Sequence, residues 1–323
     1  MGPAARVSFP AQHTMQRTFL GIEIGGSKLQ LVAGDEAATI LDRARLSVDP
    51  TKGADGIRAQ LRAALSALIP KWKPAGIGVG FGGPVDRGNG RIARSHQVEG
   101  WSDFDLGGWL RDLGNLPVAV ENDSNTAALA EATLGAGADG NPVFYFNLGS
   151  GVGGGLAIDG KIYHGRPPGE AEFGHLRSDR DGTTVEDRCS GWAIDRRIRA
   201  LAASAPDGKL ARLIGPGPGG EGKHLRAALD AKDPMAARIL TELADDLAFA
   251  LSHVVHLIHP EVIVLGGGLS LVGEPLRAAV ASALPRLVME VFRGGWQIKL
   301  AALGEDAVPV GALLLARDVS AQG

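Results

Sequence analysis

The chain has 323 residues, 45% apolar and 21% charged, which is enough for two packed domains. A net charge of −3 gives no electrostatic reason to expect nucleic acid as a partner. The single cysteine, Cys189, excludes an internal disulfide and a thiolate-rich metal site, and no apolar run reaches membrane-spanning length, so a cytoplasmic protein without a membrane partner is expected.

Residues 1–17 read as a disordered leader, too short for a helix-turn-helix module. Order is expected from Thr18. The run Phe19–Ile24, the turn Gly25-Gly26 and the return Leu29–Ala33 form a hairpin pattern, with Ser27 and Lys28 just past the glycines. Such a loop either is an ordinary hairpin or brings bare backbone amides to a phosphate. It is not a Walker A loop, because no helix follows it. Ile57, Leu61, Leu65, Leu68 and Ile69 recur at helical spacing, and Ile77 and Val79 mark a third strand that ends in Gly82-Gly83-Pro84-Val85-Asp86. A polar segment, Ser95-His96-Gln97, and a short helix near 106–113 come next.

The apolar run Pro117–Val120 then turns abruptly polar in Glu121-Asn122-Asp123-Ser124, ahead of the helix formers Ala127–Glu131. This spacing puts a carboxylate and an amide at the carboxyl end of a buried strand, where open α/β sheets bind ligands. Asp123 or Ser124 can equally serve as the helix cap. The small residues 135–140 suggest a domain boundary. A strand at 143–148 runs into Gly149-Ser150-Gly151-Val152-Gly153-Gly154-Gly155 and returns through Leu156–Ile158, repeating the first hairpin. Gly149/Gly151/Gly154 and Gly78/Gly80/Gly83 both fit G-x-G-x-x-G, yet neither opens a helix, so neither is a dinucleotide fingerprint. Residues 169–192 are densely polar and 204–222 read as a loop. A long helix is expected over 234–258, stopped by Pro260. A strand at 262–265 enters Gly266-Gly267-Gly268, a helix starts near Gly273, and a strand at 296–301 and a helix at 307–317 finish the chain.

These segments resemble the ROK family of sugar kinases and repressors, within the actin-like ATPase superfamily. The residues that carry the resemblance are Gly21–Lys28, Glu121-Asn122-Asp123, Leu148–Gly155, Glu172-Phe173-Gly174-His175, Glu186 with Ser190-Gly191, and Val264–Gly268, between Thr18 and about Arg317. The resemblance implies an α/β protein with the two-lobed actin-like (ribonuclease H-like) fold, each lobe a mixed sheet flanked by helices. The expected lobes are 18–135 with a returning C-terminal helix, 305–319, and 136–304. ATP would lie between them with Mg²⁺, and a hexose deeper. By the same resemblance Asp123 is the catalytic base, and Asn122, Glu172, His175 and Glu186 bind the sugar. Glu23, Gly25, Gly26, Ser27, Lys28, Gly149, Ser150 and Gly151 serve the phosphates, with Gly266, Gly267 and Gly268 against the nucleoside. Glu121 is expected to be structural. A homodimer is implied.

The residue types suit that chemistry. A sugar hydroxyl is a poor nucleophile, and a carboxylate within reach can orient it and take its proton. A loose phosphoryl-transfer transition state asks little of that base, so an Asp of ordinary acidity suffices, and the helix N-terminus behind Asp123 favours its ionised form. Two departures from the family stand out. Its Cys-x-Cys-x₄-Cys zinc run is missing before Glu186, so no zinc is expected, and Glu23 replaces the usual Asp. The reading is an ATP-dependent hexose kinase, glucokinase first, then a kinase for fructose, mannose or an N-acetylhexosamine. The rival is a non-catalytic sugar sensor, suggested by Glu23 and the missing zinc run.

Overall fold

A computed structural model describes residues 17–26, 28–93, 98–167, 169, 171–215 and 217–321. Ser27, the segment Ser95-His96-Gln97 and all of the expected leader except Arg17 lie outside the described residues.

The first five-stranded sheet has the order β3-β2-β1-β4-β8. It starts with β1 (Phe19–Ile24) and β2 (Lys28–Gly34), an antiparallel hairpin closed by Gly25 N–H donating to the Lys28 carbonyl at 2.8 Å. Strand β3 (Ile40–Ser47) extends it antiparallel on the edge. The sequence reading did not mark this strand, whose Leu41 and alternate polar residues face outward. Helix α1 (Gly53–Trp72) buries Ile57, Leu61, Leu65 and Leu68 against the sheet. Burying each such side chain contributes about 1.5–3 kcal/mol. Lys73, left-handed at φ 47°, ends the helix. Strand β4 (Ile77–Phe81) runs parallel to β1. The short strands β5 (Val85–Asp86), β6 (Arg91–Ile92) and β7 (Phe104–Asp105) form a separate three-stranded sheet, and α2 (Leu106–Gly114) follows. Strand β8 (Val118–Asn122), parallel to β4, feeds α3 (Asp123–Leu134).

The second five-stranded sheet has the order β11-β10-β9-β12-β13. Strands β9 (Val143–Leu148), β10 (Val152–Ile158) and β11 (Lys161–Ile162) pair antiparallel. Helices α4 (Val185–Cys189), α5 (Gly191–Ser204), α6 (Lys209–Leu213) and α7 (Leu225–Asp230) then lead to α8 (Pro234–Ile258). Helix α6 corrects the expected loop at 204–222: Leu210 is fully buried, and its amide is held by Asp233 Oδ2 at 3.0 Å. Asp233 also caps α8. That helix buries Ile239, Leu243, Leu247 and Leu251, while Ile258, expected on the same face, is 36% exposed at its end. Strand β12 (Val262–Gly266) pairs parallel with β9, α9 (Glu274–Ala283) follows, and β13 (Gln297–Leu300) pairs parallel with β12.

The last helix, α10 (Ala307–Ser320), packs on β1, β4 and α3. Two close approaches fix its position. A Cβ on Gly78 would lie 1.9 Å from the Ala312 carbonyl oxygen, and one on Gly311 would lie 2.0 Å from that of Thr126. Gly78 thus serves helix packing, which explains a G-x-G-x-x-G match with no nucleotide role. Helix α3 also lies against β9 and β10, so the α3–α10 pair is held between the two sheets. This is the two-lobed actin-like architecture of mixed sheets flanked by helices.

Candidate active site

Strand β8 ends where the fold needs a helix to begin. Asn122 is extended (φ −62°, ψ 145°), and its Oδ1 accepts from the amides of Ser124 at 2.9 Å and Asn125 at 3.2 Å. The cap is therefore Asn122, not Asp123 or Ser124 as expected, and Asp123 becomes the first helical residue with its carboxylate free of that duty. The Asn122 amide also donates from Nδ2 to the Gly83 carbonyl at 3.1 Å.

Asp123 faces the carboxyl end of the first sheet. A Cβ on Gly82 would lie 3.4 Å from Asp123 Oδ2, 3.4 Å from the Ile24 carbonyl oxygen and 3.5 Å from Gly25 Cα. The acid and the first glycine turn therefore share one spot, with the Ser124 hydroxyl donating to Asp123 Oδ1 at 3.3 Å. Burial pushes the Asp123 carboxyl up to about 6. The Glu23 carboxylate adds to the rise, Glu172 contributes less, and the Ser124 hydrogen bonds oppose it. The expected ordinary acidity is thus corrected: the Ser124 hydrogen bonds are outweighed by desolvation and a like charge. Glu23 itself is half-buried and its carboxyl is raised, first by burial, against a hydrogen bond from Gln30 Nε2. Gln30 Oε1 accepts from Arg43 Nη1 at 2.9 Å, and Arg43 Nη2 meets Asp306 at 2.6 Å, so Glu23 is held by a polar relay running into the start of α10.

Lys28 is exposed beside the same turn and lies 3.4 Å from Glu305, also exposed. In the second hairpin, Gly191 N–H at the start of α5 donates to the Gly149 carbonyl at 2.7 Å, and Ser150 is exposed. Glu186 lies here too, its Oε2 accepting from the Val152 amide at 2.8 Å. The third turn abuts the second. Gly267 has φ +83°, and a Cβ there would lie 2.2 Å from Asn147 Oδ1, whereas one on Gly268 would meet nothing within 4 Å. Gly266 packs under the Tyr145 ring.

A cleft beside Asp123 is lined by Pro84, Val85 and Arg87 on one side, Glu121, Asn122 and Asn125 at its floor, and Pro167, Gly169 and Glu172 opposite. Of the expected sugar ligands it gathers Asn122 and Glu172. His175 is exposed on the same short turn as Glu172, whose Phe173 is buried against Phe144 and Phe146. Glu186 is placed at the glycine hairpin and does not line this cleft. Cys189 is buried in the core of the second sheet's helices, whereas His175 is exposed.

Some groups went unmarked by the sequence reading. One is the pair between Glu121 and His164; nothing local signals it, since the partners are 43 residues apart. Another is a cavity of about 250 Å³ lined by Trp192, Arg196, Arg199, Pro218 and Glu221. It adjoins the third glycine turn: a Cβ on Gly222 would lie 2.8 Å from Leu269, the residue after Gly268. The 57% exposed Trp192, one residue past the Ser190-Gly191 motif, was the available signal.

The ROK family profile matches residues 19–319. The chain belongs to the ROK family. As a ROK member it is 30% identical to a glucokinase of Halalkalibacterium halodurans, over 91% of this chain and 93% of that one. It is also 30% identical to an N-acetylgalactosamine kinase of Shewanella, over 94% and 98%. The crystal structure of a ROK family glucokinase from Streptomyces griseus with glucose and AMPPNP superposes with a TM-score of 0.82 at 32% identity, covering 93% of this chain and 99% of that one. This ROK chain is a sugar kinase, a phosphotransferase of the kinase class. Among its described residues no helix is long and apolar enough to cross a membrane.

Proposed function

We propose that the chain transfers the γ-phosphate of ATP to a hexose hydroxyl, with glucose the first substrate to test. The observation that carries this reading is the placement of Asp123 Oδ2 against Gly82 and Gly25, where the acid meets the first glycine turn. The sugar occupies the cleft over Asn122 and Glu172, with the exposed His175 on the Glu172 turn as a further ligand; Glu186, held by the Val152 amide outside this cleft, is not assigned to the sugar. Asp123 receives the hydroxyl proton as the phosphoryl group arrives. With its carboxyl raised to about 6, it is ionised at neutral pH yet a better proton acceptor than an ordinary Asp. Amides of Gly26, Gly149 and Gly151, with Ser27, Lys28 and Ser150, take the phosphates, and Gly25, whose own amide closes the hairpin, lets them approach the backbone. The nucleoside lies over Gly266, Gly267 and Gly268, and the Trp192 ring with the Arg196 and Arg199 guanidinium groups suits a flat heterocycle.

Glu23 and Asp123 fit a divalent cation, because both carboxyls are raised by burial, the Glu23 charge raises Asp123 further, and a cation would relieve that repulsion. A Mg²⁺ held there would supply neutralisation of the phosphate charge. Glucose leads because two of the three relatives named above, those of Halalkalibacterium halodurans and Streptomyces griseus, are glucokinases. The Shewanella enzyme keeps N-acetylhexosamines in the comparison. A coupled ADP-release assay with glucose, mannose, fructose, N-acetylglucosamine, N-acetylmannosamine and N-acetylgalactosamine tests the reading. Turnover fastest on glucose is expected; Mg-ATP-dependent turnover of none of the six would overturn it.

A further inference from the structure

Glu121 is 5% exposed and sits at the cleft floor, one residue before Asn122. Its Oε1 accepts from the Asn122 amide at 2.8 Å and from Asn125 Nδ2 at 3.2 Å. Its Oε2 lies 2.6 Å from His164 Nε2. A carboxylate only accepts, so His164 donates through Nε2–H. The two residues come from different sheets. Glu121 is the penultimate residue of β8 in the first, and His164 follows β11 in the second. His164 also opens the segment that reaches Pro167, Gly169 and Glu172, the wall of the cleft facing Asn122. One short charge-assisted bond thus joins the floor that bears Asn122 to the wall that bears Glu172.

We infer that His164 is a positioning residue for the acceptor sugar, acting through Glu121 to fix the spacing between the Asn122 floor and the Glu172 wall. The inference rests on the kinase reading above. A sugar held by hydroxyl contacts to both faces feels that spacing directly, while a nucleotide bound at the glycine turns does not. Loss of the bond therefore weakens the sugar and spares ATP. A residue that served folding alone would lower stability and leave both KM values in place.

The test uses the full chain and the sugar that the wild-type protein phosphorylates fastest. His164→Ala raises the sugar KM about tenfold, the loss expected for one hydrogen bond to a charged group, with the Mg-ATP KM within about twofold. His164→Gln, whose amide nitrogen can reach the same carboxylate, returns the sugar KM to within about threefold of wild type. His164→Asn, one methylene shorter, behaves as His164→Ala and serves in its place if the alanine variant does not fold. An unchanged sugar KM in both loss variants, an equal rise in the ATP KM, or a glutamine variant no better than asparagine would overturn the inference. If the wild-type protein phosphorylates no sugar, the kinase reading falls by itself, and hydrogen exchange of the peptide spanning 160–176 decides the tether. Faster exchange in the loss variants, restored by glutamine, supports it; equal rates in all proteins overturn it.

Discussion

Strand for strand, β3-β2-β1-β4-β8 and β11-β10-β9-β12-β13 repeat each other, with two antiparallel pairings on one side of a central strand and two parallel pairings on the other. Each has a glycine hairpin at the central strand and a last strand that leads to a helix of the α3–α10 pair. Each helix also starts beside an aspartate: Asp123 is the first residue of α3, and Asp306 immediately precedes α10. Their surroundings differ. Asp306 meets the Arg43 guanidinium at 2.6 Å, whereas Asp123 is pushed up to about 6 by burial first and then by the Glu23 carboxylate. Equivalent topology therefore delivers two carboxylates to similar places, and the neighbours, not the fold, make one of them a candidate base.

Breaking that contrast directly gives the largest expected effect. Asp123→Ala lowers kcat by about 10³-fold, within the range for a lost general base, with sugar binding by calorimetry largely kept. Asp306→Ala leaves kcat within about threefold and lowers stability by roughly 1 kcal/mol, read in urea melts. Similar losses of kcat in the two variants would erase the distinction.

The glycine turns sharpen the comparison next. Gly267→Ala combines φ +83° with a Cβ 2.2 Å from Asn147 Oδ1, so a loss of roughly 2 kcal/mol or more and a lower Tm are expected. Its neighbour Gly268 faces open space. Gly268→Ala keeps the Tm and raises the ATP KM, which separates the packing glycine from the ligand-facing one.

A smaller effect tests the carboxyl itself. Asp123 is raised in the fold, so the folded state holds its proton more tightly than the unfolded chain does, and the charged form costs stability above about pH 6. As pH falls from about 6 to about 4, this cost disappears. Asp123→Asn should therefore stabilise the substrate-free protein by about 2 kcal/mol at pH 7 and by little at pH 4. A variant less stable than wild type at pH 7 would contradict the assignment. Least of all, Lys28→Ala changes stability by under about 0.5 kcal/mol, since its 3.4 Å pair with Glu305 is exposed on both sides. Its effect is expected in the ATP KM.

Much of the fold was legible in the chain because the strongest elements advertise themselves locally. The hairpins show strand, glycine, strand, and α8 starts with Pro234 and ends before Pro260. What escaped was set by tertiary neighbours. Strand β3 carries few inward apolar residues, and α6 is a five-residue helix inside a glycine-rich stretch. In the site, the Glu121-Asn122-Asp123 run marked the strand end, but local rules misassigned the cap because an extended ψ at Asn122 is not written in its residue type. The raised carboxyl of Asp123 depends first on burial and then on Glu23, which is remote in sequence. The placement of Glu186 at Val152 rather than in the cleft depends likewise on how α4 meets the second hairpin.

The central claim is that Asp123 is the base and that Glu23 tunes it. The direct measurement is kcat/KM for the preferred sugar between pH 4.5 and 8.5, for wild type and Glu23→Gln, with Mg-ATP saturating. The account predicts a rise through about pH 6 to a plateau in wild type, because the base must be ionised, and an acid limb moved to lower pH once the neighbouring charge is gone. A profile flat through pH 6 in wild type, or one whose limb stays in place in Glu23→Gln, would contradict it.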